Sequence, residues 1–219
     1  MNILYEDNHL LVVVKPAGLI TQGADAGEES LVTQAKAYLK AKYQKPGNVY
    51  VGVVSRLDAP VSGVVVLART SKAAERLTET FREREAAKHY WALVSGHPPA
   101  RGELRDWLIK DERLQRVVVA SEKTPGAKEA VLRFRTLGKI PGGAWLEVEL
   151  VTGRKHQIRV QLAARGWPIL GDAKYGSRAK FDAGIALHAR RLELAHPVQK
   201  TPLVFEAEPP RSWQAFELR

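Results

Sequence analysis

An aspartate and an arginine stand two residues apart in Val54-Ser55-Arg56-Leu57-Asp58-Ala59-Pro60-Val61-Ser62-Gly63, between two valine-rich runs. A carboxylate at such a strand end, kept ionised by a neighbouring cation, can act as a nucleophile or a base. Cations gather further along, in Thr152-Gly153-Arg154-Lys155-His156-Gln157-Ile158-Arg159. On a helix running from about Lys155 to Arg165, Arg159 lies three residues from His156 and four from Lys155, so these groups share a face and need an anionic partner. The first-turn amides, with Thr152 able to cap, would suit a phosphate or carboxylate equally well. Asp58 and Arg159 make a sensible pair if the fold brings them together. Tyr90, within Lys88-His89-Tyr90-Trp91-Ala92-Leu93-Val94-Ser95-Gly96, reads on its own as an ordinary core aromatic of a strand.

Other chemistries are excluded or unsupported. The chain has no cysteine, which removes disulfides, thiolate zinc sites and cysteine nucleophiles. Ser62 does not sit in a Gly-x-Ser-x-Gly pattern, and the six histidines show no His-Glu-x-x-His spacing. Phosphate-loop and dinucleotide fingerprints are missing too. What remains is carboxylate chemistry, with no metal site expected.

The elements that must position these groups follow from pattern. Ile3-Leu4-Tyr5 and Leu10 to Lys15 read as a hairpin turning at Glu6-Asp7-Asn8-His9, and Pro16-Ala17-Gly18 stops its second strand. Gln22 to Glu29 is a polar loop. Ser30 caps a helix with Leu31, Ala35 and Leu39 on one face, ended by Lys45-Pro46-Gly47-Asn48. Val49 to Val54 and Val64 to Ala68 are buried strands on either side of the Asp58 loop, whose conformation Pro60 and Gly63 restrict. Thr70 or Ser71 starts a helix to about Arg84, with a solvated, mixed-charge outer face. Strands Leu104 to Ile109, Leu114 to Ala120, Ala130 to Leu137 and Ala144 to Leu150, joined by turns, argue for antiparallel sheet. Pro168 to Gly176 is a strand fragment and loop, Ile185 to Leu194 and Leu203-Val204-Phe205 are strands, and Arg211 to Leu218 is a short closing helix. The expected fold is α+β: a mixed, mostly antiparallel sheet with flanking helices and a central basic cleft, in one domain spanning residues 1–219.

The 219 residues carry 34 Lys and Arg against 24 Asp and Glu, a net charge of +10 that attracts polyanions such as nucleic acid. No apolar run approaches the roughly 20 residues of a membrane span, and Met1 to Asp7 lacks signal-peptide organisation. No membrane association, a cytoplasmic location and monomeric action are the default expectations.

Arg56-Leu57-Asp58 with Ser62-Gly63 resembles the Arg-Leu-Asp-x-x-Thr-Ser-Gly motif of the RluA-type RNA pseudouridine synthases. Other segments match in order. Val14-Lys15-Pro16-Ala17-Gly18 resembles the family's Lys-Pro-x-Gly strand end, and Lys88 to Gly96 its tyrosine motif. Leu150 to Arg159, continuing through Gly166-Trp167-Pro168-Ile169-Leu170-Gly171-Asp172 to Tyr175-Gly176, is similar to its arginine motif. Leu187-His188-Ala189 with His196-Pro197 is similar to its last motif. The chain departs at Ser55, Val61 and Gln161, where the family commonly has His, Thr and His, and the expectation is a catalytic domain alone, without the small upstream RNA-binding domain of many relatives.

The resemblance implies a cofactor-independent isomerisation of uridine to pseudouridine in ribosomal or transfer RNA, with the target base flipped into a pocket. By the same resemblance Asp58 is the essential carboxylate, Tyr90 stacks on the uracil and Arg159 pairs with Asp58. Leu187 packs beside the base, Arg56 fills its vacated place in the stack, and the stretch Arg154, Lys155, His156 and Gln157 meets the RNA. A non-catalytic RNA-binding or RNA-chaperone protein of the same fold is the alternative. A glycosidase is disfavoured by the lack of a second placed carboxylate.

Overall fold

The computed structural model describes residues 1–23 and 28–216. In chain order the strands are β1 (Asn2–Glu6), β2 (Leu10–Lys15), β3 (Gly52–Val53), β4 (Ser62–Ala68), β5 (Ala87–Ser95), β6 (Arg101–Asp111), β7 (Arg116–Ala120), β8 (Lys128–Ile140), β9 (Gly143–Leu150), β10 (Leu187–Ala195) and β11 (Pro202–Glu206). The helices are α1 (Leu31–Lys42), α2 (Ser71–Arg82) and α3 (Gln157–Ala164), with 3₁₀ turns at Ala173–Tyr175 and Arg211–Phe216. This is an α+β fold with mostly antiparallel sheet. The chain divides into two compact units, Met1–Ala87 with Ala189–Pro209, and Lys88–His188 with Pro210 onward.

In the first unit β1 pairs β2 and β2 pairs β4, both antiparallel, while β10 pairs β11. Every residue of β4 is buried. Alternation splits the neighbours of this sheet into two cores. Leu10, Val12, Val64 and Val66 pack with Leu77 of α2, whereas Leu11, Val13, Val65 and Leu67 pack with Leu31, Ala35 and Leu39 of α1. The period of two thus puts one helix on each face. Ser30 caps α1 with a reciprocal bond to Thr33, and Thr70 caps α2. Gly63, at φ 122°, runs so close to β10 that a Cβ there would lie 2.3 Å from the Ala189 carbonyl oxygen. His196 ties the last motif to the β1–β2 turn: its Nδ1 accepts the Val198 and Gln199 amides, so Nε2 carries the proton and donates to Asp7 at 2.8 Å.

Glu6 closes the outer end of this unit. Its carboxylate accepts from Tyr38, Lys42, Tyr43 and Arg69, and the side chain is 9% exposed. Burial pushes its carboxyl up, but hydrogen bonds from Lys42, Tyr43 and Tyr38 outweigh burial and bring it down to about 2. A carboxyl lowered on folding stabilises above its unfolded value of 4.5 and loses that contribution as pH falls from there to about 2. Glu6→Gln is therefore expected to lower stability by about 1–2 kcal/mol at pH 7, allowing for solvent screening, and by almost nothing at pH 2. Denaturation midpoints at both pH values check this.

The second unit is a meander in the order β5-β9-β8-β6-β7, each adjacent pair antiparallel. Trp91 and Trp145 face each other across β5 and β9, edge to face at 4.8 Å. Helix α3 packs by Val160 against Leu108, Val117 and Ala130.

Four expectations need correction. Val49 to Val54 pairs only over the two residues of β3; Tyr50 remains 49% exposed, and a side chain at Gly52 would run into the Tyr50 hydroxyl and Ala74. The third helix begins at Gln157, two residues later than expected, with His156 in the left-handed region at its N-terminus. Thr152 does not cap it. The chain closes in a 3₁₀ turn rather than a regular helix over Arg211–Phe216, and the expected continuation through Leu218 lies outside the described residues, as does the middle of the Gln22 to Glu29 loop.

Candidate active site

In the first unit, Asp58 sits between two pinned neighbours. Thr21, 3% exposed, brackets Leu57: its hydroxyl donates to the Leu57 carbonyl at 2.8 Å and accepts the Leu57 N–H at 3.1 Å. On the other side the Ala59 carbonyl accepts the Gly18 N–H at 2.8 Å and the Lys15 ammonium at 3.0 Å. The Asp58 carbonyl closes a turn with the Val61 N–H at 3.0 Å, and Val61 is itself buried. The backbone is thereby held on both sides of Asp58. Arg56, one step outside this bracket, is exposed.

Lys15 has no exposed surface, and its Nζ also donates to the Pro16 carbonyl at 2.9 Å and the Leu19 carbonyl at 2.6 Å. Burial pushes its ammonium down to about 8, while the Asp58 charge raises it. All three N–H bonds of the ammonium are thereby spent on carbonyl oxygens that tie the end of β2 to the Asp58 loop. Lys15→Met should leave those oxygens unsatisfied and cost about 2–4 kcal/mol of stability, read by chemical denaturation.

In the second unit, Tyr90 is half-buried on β5, opposite Val148 of β9. Leu187 is 4% exposed at the start of β10. Arg159 is 5% exposed and turned inward, where Nε and Nη2 grip Asp172 at 2.7 and 2.9 Å. Its guanidinium carbon also lies 5.0 Å from the centre of the Tyr175 ring. Asp172 is 1% exposed, so this fork holds a fully buried carboxylate.

The later helix start changes how the cations are arranged. Lys155 and His156 precede α3, so they do not share a helical face with Arg159. Lys155 is exposed, while His156 meets the Tyr175 hydroxyl through Nδ1 at 2.7 Å. Arg154 is oriented by its Nε bond to the Glu129 carbonyl at 2.8 Å. Gln157 is 2% exposed and works inward: its oxygen accepts from the Thr152 hydroxyl and the Arg154 N–H, and its amide donates to the Val131 carbonyl. That network explains the fate of Thr152, whose oxygen is bonded to Gln157 and Val131 instead of capping the helix. Gln161 is buried and donates to Asp106, Leu104 and Ala130.

Sequence reasoning missed Thr21 and assigned no role to Lys15, Gly18 or Asp172. Lys15, Gly18 and Asp172 lay inside matched motifs, so position could have flagged them. Thr21, in an irregular segment, offered no comparable signal. Among the described residues no group of three or more His, Cys, Asp or Glu could hold a metal ion, and no helix is long and apolar enough to cross a membrane.

Residues 9–164 match the family model described as RNA pseudouridylate synthase, so the chain belongs to that family. Within it the likeness is to RluA-type enzymes. The chain is 34% identical to the dual-specificity RNA pseudouridine synthase RluA of Haemophilus influenzae, over 95% of this chain and 93% of that protein. It is 32% identical to ribosomal large subunit pseudouridine synthase D of Zymomonas mobilis, over 98% of this chain and 71% of the relative. The solved structure of human RNA pseudouridylate synthase domain containing 4 superposes with a TM-score of 0.83 at 26% identity, covering 100% of this chain and 94% of that one. The chain is an RNA pseudouridine synthase, an isomerase acting on uridine in RNA.

Proposed function

We propose that Asp58 is the carboxylate of this isomerisation and that the substrate is a uridine in folded ribosomal or transfer RNA. The observation that carries the assignment is the double clamp on Leu57 and Ala59, which fixes the backbone on both sides of Asp58. The reaction breaks the N1–C1′ bond of uridine and joins C5 to C1′, with the C5 proton lost and N1 protonated, so atoms balance without an oxidant, reductant or cofactor. Asp58 attacks C1′ or removes a sugar proton; both roles need an ionised carboxylate in a fixed position.

Tyr90 serves as the stacking wall for the extruded uracil, Leu187 supplies apolar contact and Arg159 stabilises the reacting group. Arg56 occupies the place the base leaves in the RNA stack. Exposed Lys155, together with Arg154 and His156, meets the phosphate backbone. Gln157 supports that stretch from inside. The relative named for the large ribosomal subunit supports ribosomal RNA as a target class.

Tyr90 provides the direct experiment. Tyr90→Phe keeps a ring and should retain turnover within about tenfold, whereas Tyr90→Leu loses the stacking face and should fall by a further factor of roughly 10–100. Equal activity of the two variants in a tritium-release assay on 5-tritiated-uridine RNA contradicts the platform role.

A further inference from the structure

The second unit carries a groove that none of these roles uses. It has a volume of about 280 Å³ and is walled by Val117 and Val119 of β7, Val160, Ala163 and Ala164 of α3, and the ring-bearing Tyr175. β7 is the last strand of its meander, paired on one side to β6. The Val117 N–H points away from β6, donating to the Tyr175 hydroxyl at 3.2 Å. Because residues two apart on a strand face the same way, the Val119 N–H and C=O point into the same open side. Val119 is 41% exposed.

We infer that this groove receives a single unpaired nucleobase of the substrate RNA, a contact separate from the one made to the target uridine. The inference rests on the chain's being an RNA-modifying enzyme. The walls are apolar and offer a planar group a surface to lie on. One strand edge supplies a donor and an acceptor, which complement the donor and acceptor on the edge of a base. A cation stands at the groove, since Arg116 is one of its lining residues, and Lys174, next to Tyr175 in the chain, is exposed. A base delivered on a phosphate backbone satisfies all three features, whereas an apolar peptide would leave these charges unused. Such a contact chooses among RNAs without touching the reacting uridine.

Amide spectra of the isotopically labelled full chain, titrated with single-stranded 12-nucleotide RNAs, test this. The Val119 N–H should shift saturably. Ala164→Trp, which fills the groove from the exposed end of α3, should weaken binding about tenfold, the size of one lost base contact. Val119→Pro should do the same, since it deletes a donor that does not serve the β6 ladder. Unchanged binding in both variants, with β7 amides unmoved while pseudouridine formation persists, overturns the groove assignment and leaves the activity intact. Shifts that follow protein concentration instead of RNA place a second copy on the β7 edge and also overturn it. Absence of both RNA binding and pseudouridine formation would overturn the RNA reading itself.

Discussion

Asp58→Asn should fold as the parent does, bind RNA with affinity within a few-fold of it, and form pseudouridine at least about a thousandfold more slowly, a barrier increase of about 4 kcal/mol. Two features make the substitution clean. The bonds made by the backbone of Leu57 and Ala59 and by the Asp58 carbonyl, which hold the loop on both sides, are all kept by an asparagine. The amide has nearly the shape of the carboxylate but is a far weaker nucleophile and base. Unchanged thermal unfolding beside lost turnover separates chemistry from structure. Turnover near the parental rate would remove Asp58 from the reaction.

Arg159→Met should strongly destabilise the second unit. It leaves the Asp172 carboxylate, 1% exposed, without the two bonds at 2.7 and 2.9 Å that satisfy it, a loss of about 3–5 kcal/mol. The double variant Arg159→Met with Asp172→Leu removes the stranded charge and should recover most of that stability, because an apolar pair can replace a buried ion pair. Activity tells the two roles of Arg159 apart. If its guanidinium serves only to hold Asp172, turnover returns with stability in the double variant. Under the proposed role in the reaction, the double variant stays inactive although it is folded. Chemical denaturation and tritium release, run on the same preparations, give both readings.

Much of the fold was legible because its signals are local and periodic. The alternation Leu10 to Val14 and Val64 to Leu67 sorts residues to the two faces of one sheet, and Ser30 and Thr70 cap the helices where their types predict. The failures were also physical. A valine-rich run implies a strand, but Val49 to Val54 pairs over only two residues and leaves Tyr50 exposed. Helical spacing put Lys155, His156 and Arg159 on one face, yet His156 takes a left-handed conformation and shifts the helix start. Nothing in the spacing revealed that Gln157 would claim the Thr152 hydroxyl. For the candidate site, the motifs that contain Asp58, Tyr90 and Arg159 were readable, while the bonds that hold the Asp58 loop were not. The partners of the Asp58 loop, Lys15 and Thr21, lie 44 and 36 residues from the atoms they bond. Such long-range bonds leave no periodic trace.

The most direct measurement is a site-by-site map of pseudouridine in cellular ribosomal and transfer RNA, taken with the gene present, with it deleted, and with the deletion complemented by the parental chain or by Asp58→Asn. The expected result is one or a few uridines whose modification disappears on deletion, returns with the parental chain and stays absent with Asp58→Asn. Identical maps in all four strains, or full restoration by Asp58→Asn, would contradict the assignment of Asp58 as the carboxylate of an RNA pseudouridine synthase.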